Sequence, residues 1–297
     1  FIATLVGFNR IGTEPTLRER VVPAFWLVVQ AVPLMLVLFF LFPRLSGPLW
    51  RMPGEDQAST GLSDEMTPGD ISRLSQSEAV AFRVDFSSAV PQNEDLYWRG
   101  PVLGQQVGRS WRMYSERPIA KLDYEPQSPP VAYRVTLQPN NKPWLFALDM
   151  PAAAPPDADF LGDYQLRSRT LVSNLKSYEM TSHLRYRAGA GQTERALSRF
   201  LQYTPGVNPR TLDYARQLRA EYPDPKVLIE KLMARYNSEF EYTLEPPRLG
   251  ANPVDEFLFD TKKGFCEHYA GSFVLILRAA GIPARVVTGY QGGEVNP

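Results

Sequence analysis

The sequence has few of the side chains that build metal sites and disulfides. Its 297 residues include one cysteine, Cys266, and two histidines, His183 and His268. A lone cysteine excludes an intrachain disulfide, and one thiol with two distant imidazoles offers no zinc-ligand spacing. We therefore predict neither a metal nor any other cofactor.

An excess of either charge is also missing. Thirty-two basic residues balance 32 acidic residues, so the formal net charge is zero. Without a basic excess to hold a polyanion, we do not expect nucleic acid as a partner. The 27 prolines favour turns, strand edges and linkers over a helical bundle. The length suits about two domains.

A long apolar run is present near the N-terminus. Residues 21–42 carry no charge, and Gln30 is their one strongly polar side chain. About 20 apolar residues suffice to span a bilayer, so we predict a transmembrane helix at 21–42, kinked at Pro33. A buried helix of a soluble protein and a signal peptide are the alternatives. We expect residues 1–20 to be a loop between membrane segments.

The segment after this run is polar and rich in proline, glycine and serine. We interpret residues 43–75 as a linker that lifts a folded region off the membrane. Arginines flank the run almost evenly, so the positive-inside rule says little about which end of the predicted span faces the cytoplasm. The acidic residues that follow favour a location outside the cytoplasm from about residue 45.

Residues 76–187 alternate with a period of two. Val131, Tyr133, Val135 and Leu137 face one side of a predicted strand, and a second strand is predicted around Tyr178 and Met180 by the same alternation. Several such strands without a convincing helix predict a β-rich domain, of sandwich or barrel type.

From residue 192 the period becomes helical. Asp224 and Pro225 are typical of a helix start. The predicted buried face of that helix consists of Leu228, Ile229, Leu232, Met233 and Tyr236. A second helix is predicted to begin near Cys266 and to end at Gly281, before Pro283. We assign residues 192–297 to this second domain.

Cys266 therefore lies in the first turn of a largely apolar helix. Unpaired N–H groups and the helix dipole favour a thiolate there, which predicts a nucleophile with a lowered pKa in the complete protein. Lys262 and Lys263 would add positive potential. The other interpretation is an inert, buried cysteine. His268 is two residues away, about 200° around the helix, and His183 falls on the polar face of a strand, so neither is a good catalytic base.

One segment resembles the nucleophile segment of the bacterial transglutaminase-like superfamily, with the sequence KKGFCEHYAGSFVLILRAAGIPARVVTGYQGGEVNP. The most specific part of the resemblance overlaps its start and reads VDEFLFDTKKGFCEHYA. Together with ISRLSQSEAVAFRVDF, LYWRGPVLG and EFEYTLEPP, it is most similar to the membrane-bound TgpA type. The resemblance covers nearly the whole chain.

This resemblance implies an α+β fold: a transmembrane helix, a β-rich extracytoplasmic domain and the N-terminal part of a papain-like, transglutaminase-like α/β core. By position, Cys266 is the nucleophile. The family's histidine and aspartate follow the GYQGGE segment, so we expect this chain to lack them, to be inactive alone, and to leave an open sheet edge beside Val286 and Val287.

The implied activity is acyl transfer from protein glutamine to an amine at the outer face of the bacterial inner membrane, with the region after residue 45 in the periplasm. The implied partners are a protein or peptide glutamine donor and an amine acceptor. A cysteine peptidase or amidase of the same fold, and a non-catalytic envelope scaffold, remain alternatives, because transfer and hydrolysis differ in water exclusion around the acyl-enzyme.

Overall fold

A computed structural model describes residues 22, 25–26, 29–33, 35, 62, 64–66, 79–115 and 117–295. The chain divides into two compact units, Phe1–Gln57 and Ala58–Pro297.

In the first unit, every described residue between 22 and 35 is helical. Several large apolar side chains there are exposed, among them Phe25, Trp26 and Met35. Within the part of the chain that the structure describes, no helix combines the length and apolar character needed to cross a membrane. The predicted loop 1–20 lies outside the described residues, as does most of the predicted span 21–42, so both stay predictions.

The second unit begins with short antiparallel strands. Their bounds are β1 Glu65–Met66, β2 Phe82–Phe86, β3 Tyr97–Leu103, β4 Gln105–Val107, β5 Ser110–Arg112, β6 Pro118–Ile119, β7 Tyr124–Pro126, β8 Val131–Leu137, β9 Trp144–Leu145, β10 Ala147–Leu148, β11 Met150–Pro151, β12 Ala158–Leu161, β13 Gln165–Ser168, β14 Lys176–His183 and β15 Tyr186–Ala188. Between residues 79 and 188, the described helical turns are two 3-10 segments, Asn93–Asp95 and Gly162–Tyr164. The β-rich region expected from the period of two is therefore present.

These strands form several small sheets, most of which pack on one apolar core, whereas Met66 of β1 and Trp111 of β5 belong to a separate buried cluster. The orders are β11-β14-β8-β2, β6-β12-β13-β9, β1-β5-β4 and β15-β7. In β8, Tyr133, Val135 and Leu137 are buried while the side chains between them are not, as the alternation predicts. Trp98, Phe146 and Tyr178 join them in the core.

Two features cross the boundaries predicted from sequence. Leu62 and Met66 belong to the predicted linker 43–75, yet both are buried, and β1 pairs with β5. This part of the linker prediction is wrong, because two apolar side chains find partners in the folded unit. The last strand, β18 (Val286–Gln291), pairs antiparallel with β3 in the order β10-β3-β18. The two regions predicted as separate domains thus share a sheet.

The helical part follows the predicted change of period. It contains α1 Glu194–Ser198, a 3-10 turn Arg199–Leu201, α2 Pro209–Glu221, α3 Pro225–Glu239, a short helix Pro253–Asp255 that continues as a π-helix Glu256–Thr261, and α4 Cys266–Ala279. Two short parallel strands, β16 Glu241–Tyr242 and β17 Lys263–Gly264, precede α4.

Local chemistry explains where these helices begin and end. Asp224 caps α3 as predicted, since its carboxylate accepts a 2.7 Å hydrogen bond from the Lys226 N–H. Leu228, Leu232 and Tyr236 are buried as predicted, whereas the prediction of a buried Met233 is wrong, because its side chain is 47% exposed. Gly281 follows α4 with a φ of 77°, a conformation that favours glycine. Facing side chains of α2, α3 and α4, including Ala215, Leu228 and Ile276, form a second apolar core.

Candidate active site

Cys266 is the first residue of α4, and its side chain is exposed. Phe265, the N-cap residue, is extended and gives no side-chain cap to the helix. The first N–H groups of α4 are therefore directed toward the end at which the thiol lies. This placement agrees with the position predicted from sequence.

A tight turn delivers the chain to this position. Lys262 has a φ of 52°, and β17 then pairs in parallel with β16, so that Tyr242 lies opposite Gly264. A Cβ atom on Gly264 would lie 2.8 Å from both His268 Cβ and a Phe257 ring carbon. Only glycine fits this approach, which explains the residue two positions before the thiol.

The electrostatics of the thiol differ from the prediction. Removal of hydrating water by neighbouring atoms raises the pKa of Cys266, and the Glu267 carboxylate acts in the same direction. A hydrogen bond from Tyr242 and the backbone N–H groups of residues 266 and 267 lower that pKa, as a helix terminus should, but they do not prevail. The direction in this chain is opposite to the lowering predicted for the complete protein, which stays a prediction.

The two lysines before the thiol do not supply free positive charge. Lys262 Nζ lies 2.7 Å from Glu239 Oε2, and Lys263 Nζ lies 2.7 Å from Glu241 Oε2. Each ammonium is paired with a carboxylate, so the field that the sequence predicts at the thiol is largely cancelled.

The thiol opens into a groove of about 570 Å³. Strand β18 forms one wall of the groove, Leu62, Met66, Ala79 and Ala81 contribute apolar side chains, and Glu267 is a charged residue of the lining. In its sheet, β18 pairs with β3 on one side and is the terminal strand on the other. Within the described residues, the expected open edge beside Val286 and Val287 is present on that second side.

His268 lies on a different side of α4 from the thiol. Its ring packs edge-on against Phe265 at 4.6 Å between centroids, and it lines a small cavity with Phe257 and Ser272 rather than the groove of Cys266. Burial lowers the pKa of His268 to about 4, so the imidazole is neutral at pH 7. These observations agree with the prediction that it is not the base for Cys266.

His183 lies in β14 and is half-buried rather than a freely solvated surface residue. Its Nδ1 lies 2.9 Å from the Tyr124 hydroxyl. That hydrogen bond belongs to the β-rich region, and His183 does not line the groove of Cys266.

Buried polar side chains fix α4 in the fold. The Arg278 side chain, 2% exposed, donates 2.7 Å hydrogen bonds to the carbonyl oxygens of Ala284, Gln202 and Gly104. Nearer the thiol, the hydroxyls of Tyr236 and Ser272 lie 2.7 Å apart. The helix that carries Cys266 is thus held by α3, by the loop after β3, and by the segments that contain Gln202 and Ala284.

Two groups at the thiol were missed from sequence. Tyr242 was interpreted only as a residue of a short strand, yet it lies opposite Gly264, two residues before Cys266, and its side chain acts to lower the pKa of that thiol. Glu267 lines the groove although it follows Cys266 directly. The parallel pairing of β16 with β17 brings Tyr242 to Cys266, and a two-residue strand gives no periodic signal for such a pairing.

The fold and the helix-borne thiol define a transglutaminase-like class of protein, and residues 212–296 match the family described as the transglutaminase-like superfamily. Residues 1–189 match the TgpA N-terminal domain. The chain belongs to the TgpA family.

Curated relatives agree with this assignment. The chain is 45% identical over 304 residues to the protein-glutamine gamma-glutamyltransferase of Pseudomonas aeruginosa PAO1, covering 100% of this chain and 45% of that protein. It is 30% identical over 132 residues to the uncharacterized protein YebA of Bacillus subtilis 168, covering 42% of this chain and 18% of that protein. The chain thus spans less than half the length of either relative.

Solved structures share the fold. The crystal structure of the periplasmic domain of TgpA from Pseudomonas aeruginosa has a TM-score of 0.77 and 43% identity, covering 80% of this chain and 83% of that chain. The crystal structure of the same domain bound to ethylmercury has a TM-score of 0.76, and the match covers 80% of this chain and 85% of that chain.

Proposed function

We propose that this chain carries the nucleophile of a protein-glutamine γ-glutamyltransferase and that Cys266 is that nucleophile. The observation that supports it most is the position of the chain's one thiol, exposed at the first residue of α4 and open to a groove. The similarity to a relative named for this activity supports the reaction type.

In the proposed reaction, the Cys266 sulfur attacks the carboxamide carbon of a glutamine side chain. A C–S bond forms, the C–N bond breaks, and ammonia leaves with the proton that the thiol gave up. An amine then attacks the thioester carbon, an isopeptide C–N bond forms, the C–S bond breaks, and a proton from the amine passes to the sulfur. Partial charge on the first N–H groups of α4 favours the oxygen anion of each tetrahedral intermediate.

Ammonia departs poorly without a proton donor, and general acid–base help is typically worth about 10²–10⁴-fold. Neither His183 nor His268 lines the groove that holds Cys266. We therefore infer that the 297-residue chain alone is inactive and that a histidine and an aspartate of the full-length protein, placed after the GYQGGE segment as the resemblance implies, complete the site.

The proposal includes a location. We infer that residues 21–42 anchor the protein in the bacterial inner membrane and that the region after residue 45 faces the periplasm. The structural relative supports this placement because it is a periplasmic domain. In this arrangement the substrates are a glutamine-bearing protein or peptide and an amine acceptor outside the cytoplasm.

The test measures incorporation of a labelled primary amine into a glutamine-bearing protein by the full-length enzyme. Cys266→Ala should abolish incorporation, because no other group would form the thioester. Ser238→Ala is the matched control, since it removes a small polar group from an exposed position of α3 and should leave incorporation unchanged. Undiminished incorporation by Cys266→Ala would overturn the proposal.

A further inference from the structure

Strand β18, which forms one wall of the groove of Cys266, does not pair regularly with β3. Val287 lies opposite Val102, whereas Gly289 lies opposite Arg99, so β3 has one extra residue between these two pairs. Pro101 is part of this bulge, where its missing N–H does not interrupt a regular ladder. A bulge changes the direction of a strand, and bulges are common next to active sites.

Gly289 makes room at this bulge for a side chain of β3. A Cβ atom on Gly289 would lie 2.3 Å from the Trp98 carbonyl oxygen and 3.1 Å from the Tyr97 hydroxyl oxygen. Only glycine therefore fits, and the phenol of Tyr97 lies against the backbone of β18. Tyr97 is the first residue of β3 and lines the same groove as Cys266.

The hydroxyl proton of Tyr97 is directed to the backbone of β18. The carbonyl oxygens of Val287 and Thr288 share this proton, at 3.4 and 3.3 Å from the phenol oxygen. Burial raises the pKa of Tyr97 to about 12, so the phenol keeps its proton at neutral pH. Among the described residues, none donates a hydrogen bond to the phenol oxygen. With its proton given to the backbone, this oxygen can only accept a further hydrogen bond.

A group that can only accept a hydrogen bond distinguishes a carboxamide from a carboxylate. The NH2 group of a carboxamide donates hydrogen bonds, whereas an ionised carboxylate has no proton to donate. A site built around such a hydrogen bond rejects an analogue without the donor, because the acceptor of the site is then left unpaired.

We propose that Tyr97 is a specificity-determining residue that accepts a hydrogen bond from the NH2 group of the donor glutamine and so favours glutamine over glutamate. The identity of this donor rests on the proposed function. The preference for a carboxamide beside the Cys266 sulfur is independent of it and can be measured without transfer.

The variant Tyr97→Phe tests this proposal because it removes the phenol oxygen and keeps the ring beside Gly289. Tyr114→Phe is the matched control. The Tyr114 hydroxyl also donates to a backbone carbonyl, that of Arg199 at 3.0 Å, and Tyr114 is half-buried like Tyr97 but does not line the groove.

The first readout is the ratio of the alkylation rates of Cys266 with iodoacetamide and with iodoacetate at one pH, measured in the 297-residue chain. Both reagents react at the carbon next to the carbonyl carbon, and the thiolate fraction cancels from the ratio. Tyr97→Phe should slow iodoacetamide about fivefold, the effect of losing one ordinary hydrogen bond, and leave iodoacetate unchanged. A ratio that is unchanged, that falls as much in Tyr114→Phe, or that falls because iodoacetate reacts faster would overturn the proposal.

The second readout is the kinetics of the full-length protein with two donor peptides, one with glutamine and one with the γ-methyl ester of glutamate. In Tyr97→Phe, KM for the glutamine peptide should rise about fivefold with little change in kcat. The ester has no N–H to donate, so its constants should stay at the wild-type values.

Equal losses with both donors, as an unfolded variant would give, or no loss with either donor would overturn the role of Tyr97. If Cys266→Ala retains transfer, the proposed function fails instead, and the alkylation ratio still decides whether Tyr97 recognises a carboxamide.

Discussion

The substitution Arg278→Met probes what holds the helix of Cys266 in place. Arg278 is 2% exposed, and its guanidinium satisfies carbonyl oxygens of Ala284, Gln202 and Gly104, each at 2.7 Å. It also stacks on the Trp111 ring at 4.9 Å. Methionine fills much of the same volume but leaves the three carbonyl groups without donors.

The expected loss follows from these contacts. An unsatisfied buried polar group costs about 1–3 kcal/mol, so three carbonyl groups suggest a gross loss of about 3–9 kcal/mol. The variant also removes a buried charge whose desolvation lowers the pKa of Arg278 to about 10, and this relief offsets part of the loss. We expect a net fall of about 3–5 kcal/mol in the free energy of unfolding.

The assay is urea unfolding of residues 58–297, followed by far-ultraviolet circular dichroism. Arg278→Lys should lose less than Arg278→Met, because an ammonium keeps the charge and some donors but not the planar geometry. Arg216→Met is the control, since Arg216 is paired with Asp213 on the surface of α2 with 71% of its side chain exposed, and such pairs contribute about 0–1 kcal/mol. Equal losses in Arg278→Met and Arg216→Met would refute the role assigned to Arg278.

Two further predictions concern the thiol and the membrane. In the 297-residue chain, desolvation should place the alkylation midpoint of Cys266 above the ordinary thiol value of about 8.5. The contribution of the neutral thiol to folding stability is therefore present below about pH 8.5 and is lost as pH rises through the higher folded pKa. A midpoint below about 8.5 would contradict the described environment. If residues after 45 face the periplasm, a cysteine introduced at Ser59 in a Cys266→Ala background should react with a membrane-impermeant maleimide. The cells are treated so that the reagent passes the outer membrane while the inner membrane stays intact. Reaction with membrane-permeant reagents alone would indicate the opposite orientation.

Much of the local structure could be predicted from sequence because short-range chemistry determines it. The alternation in β8, the cap at Asp224 and the position of Cys266 at a helix start each depend on neighbouring residues only. The sequence also placed His268 away from the thiol, since helix geometry fixes the angle between residues two apart.

The long-range contacts could not be predicted in the same way. The pairing of β18 with β3 joins residues that are far apart in sequence, such as Val286 with Leu103, and nothing periodic in either strand identifies its partner. The raised pKa of Cys266 in this chain could not be predicted either, because desolvation and the pairing of Lys262 and Lys263 depend on the folded surroundings. The position of Tyr242 was missed for the same reason, since strand pairing rather than spacing brings it opposite Gly264.

The central claim, that Cys266 forms the acyl-enzyme, is tested most directly by trapping that intermediate. The full-length protein is mixed with a glutamine donor peptide in the absence of amine, and the reaction is quenched in acid. The protein is then digested, and the mass of the peptide that contains Cys266 is measured by mass spectrometry. The account predicts a thioester on Cys266, with a mass increase equal to the donor peptide minus ammonia. An acyl group on another residue, or none on Cys266 while amine incorporation proceeds, would contradict it.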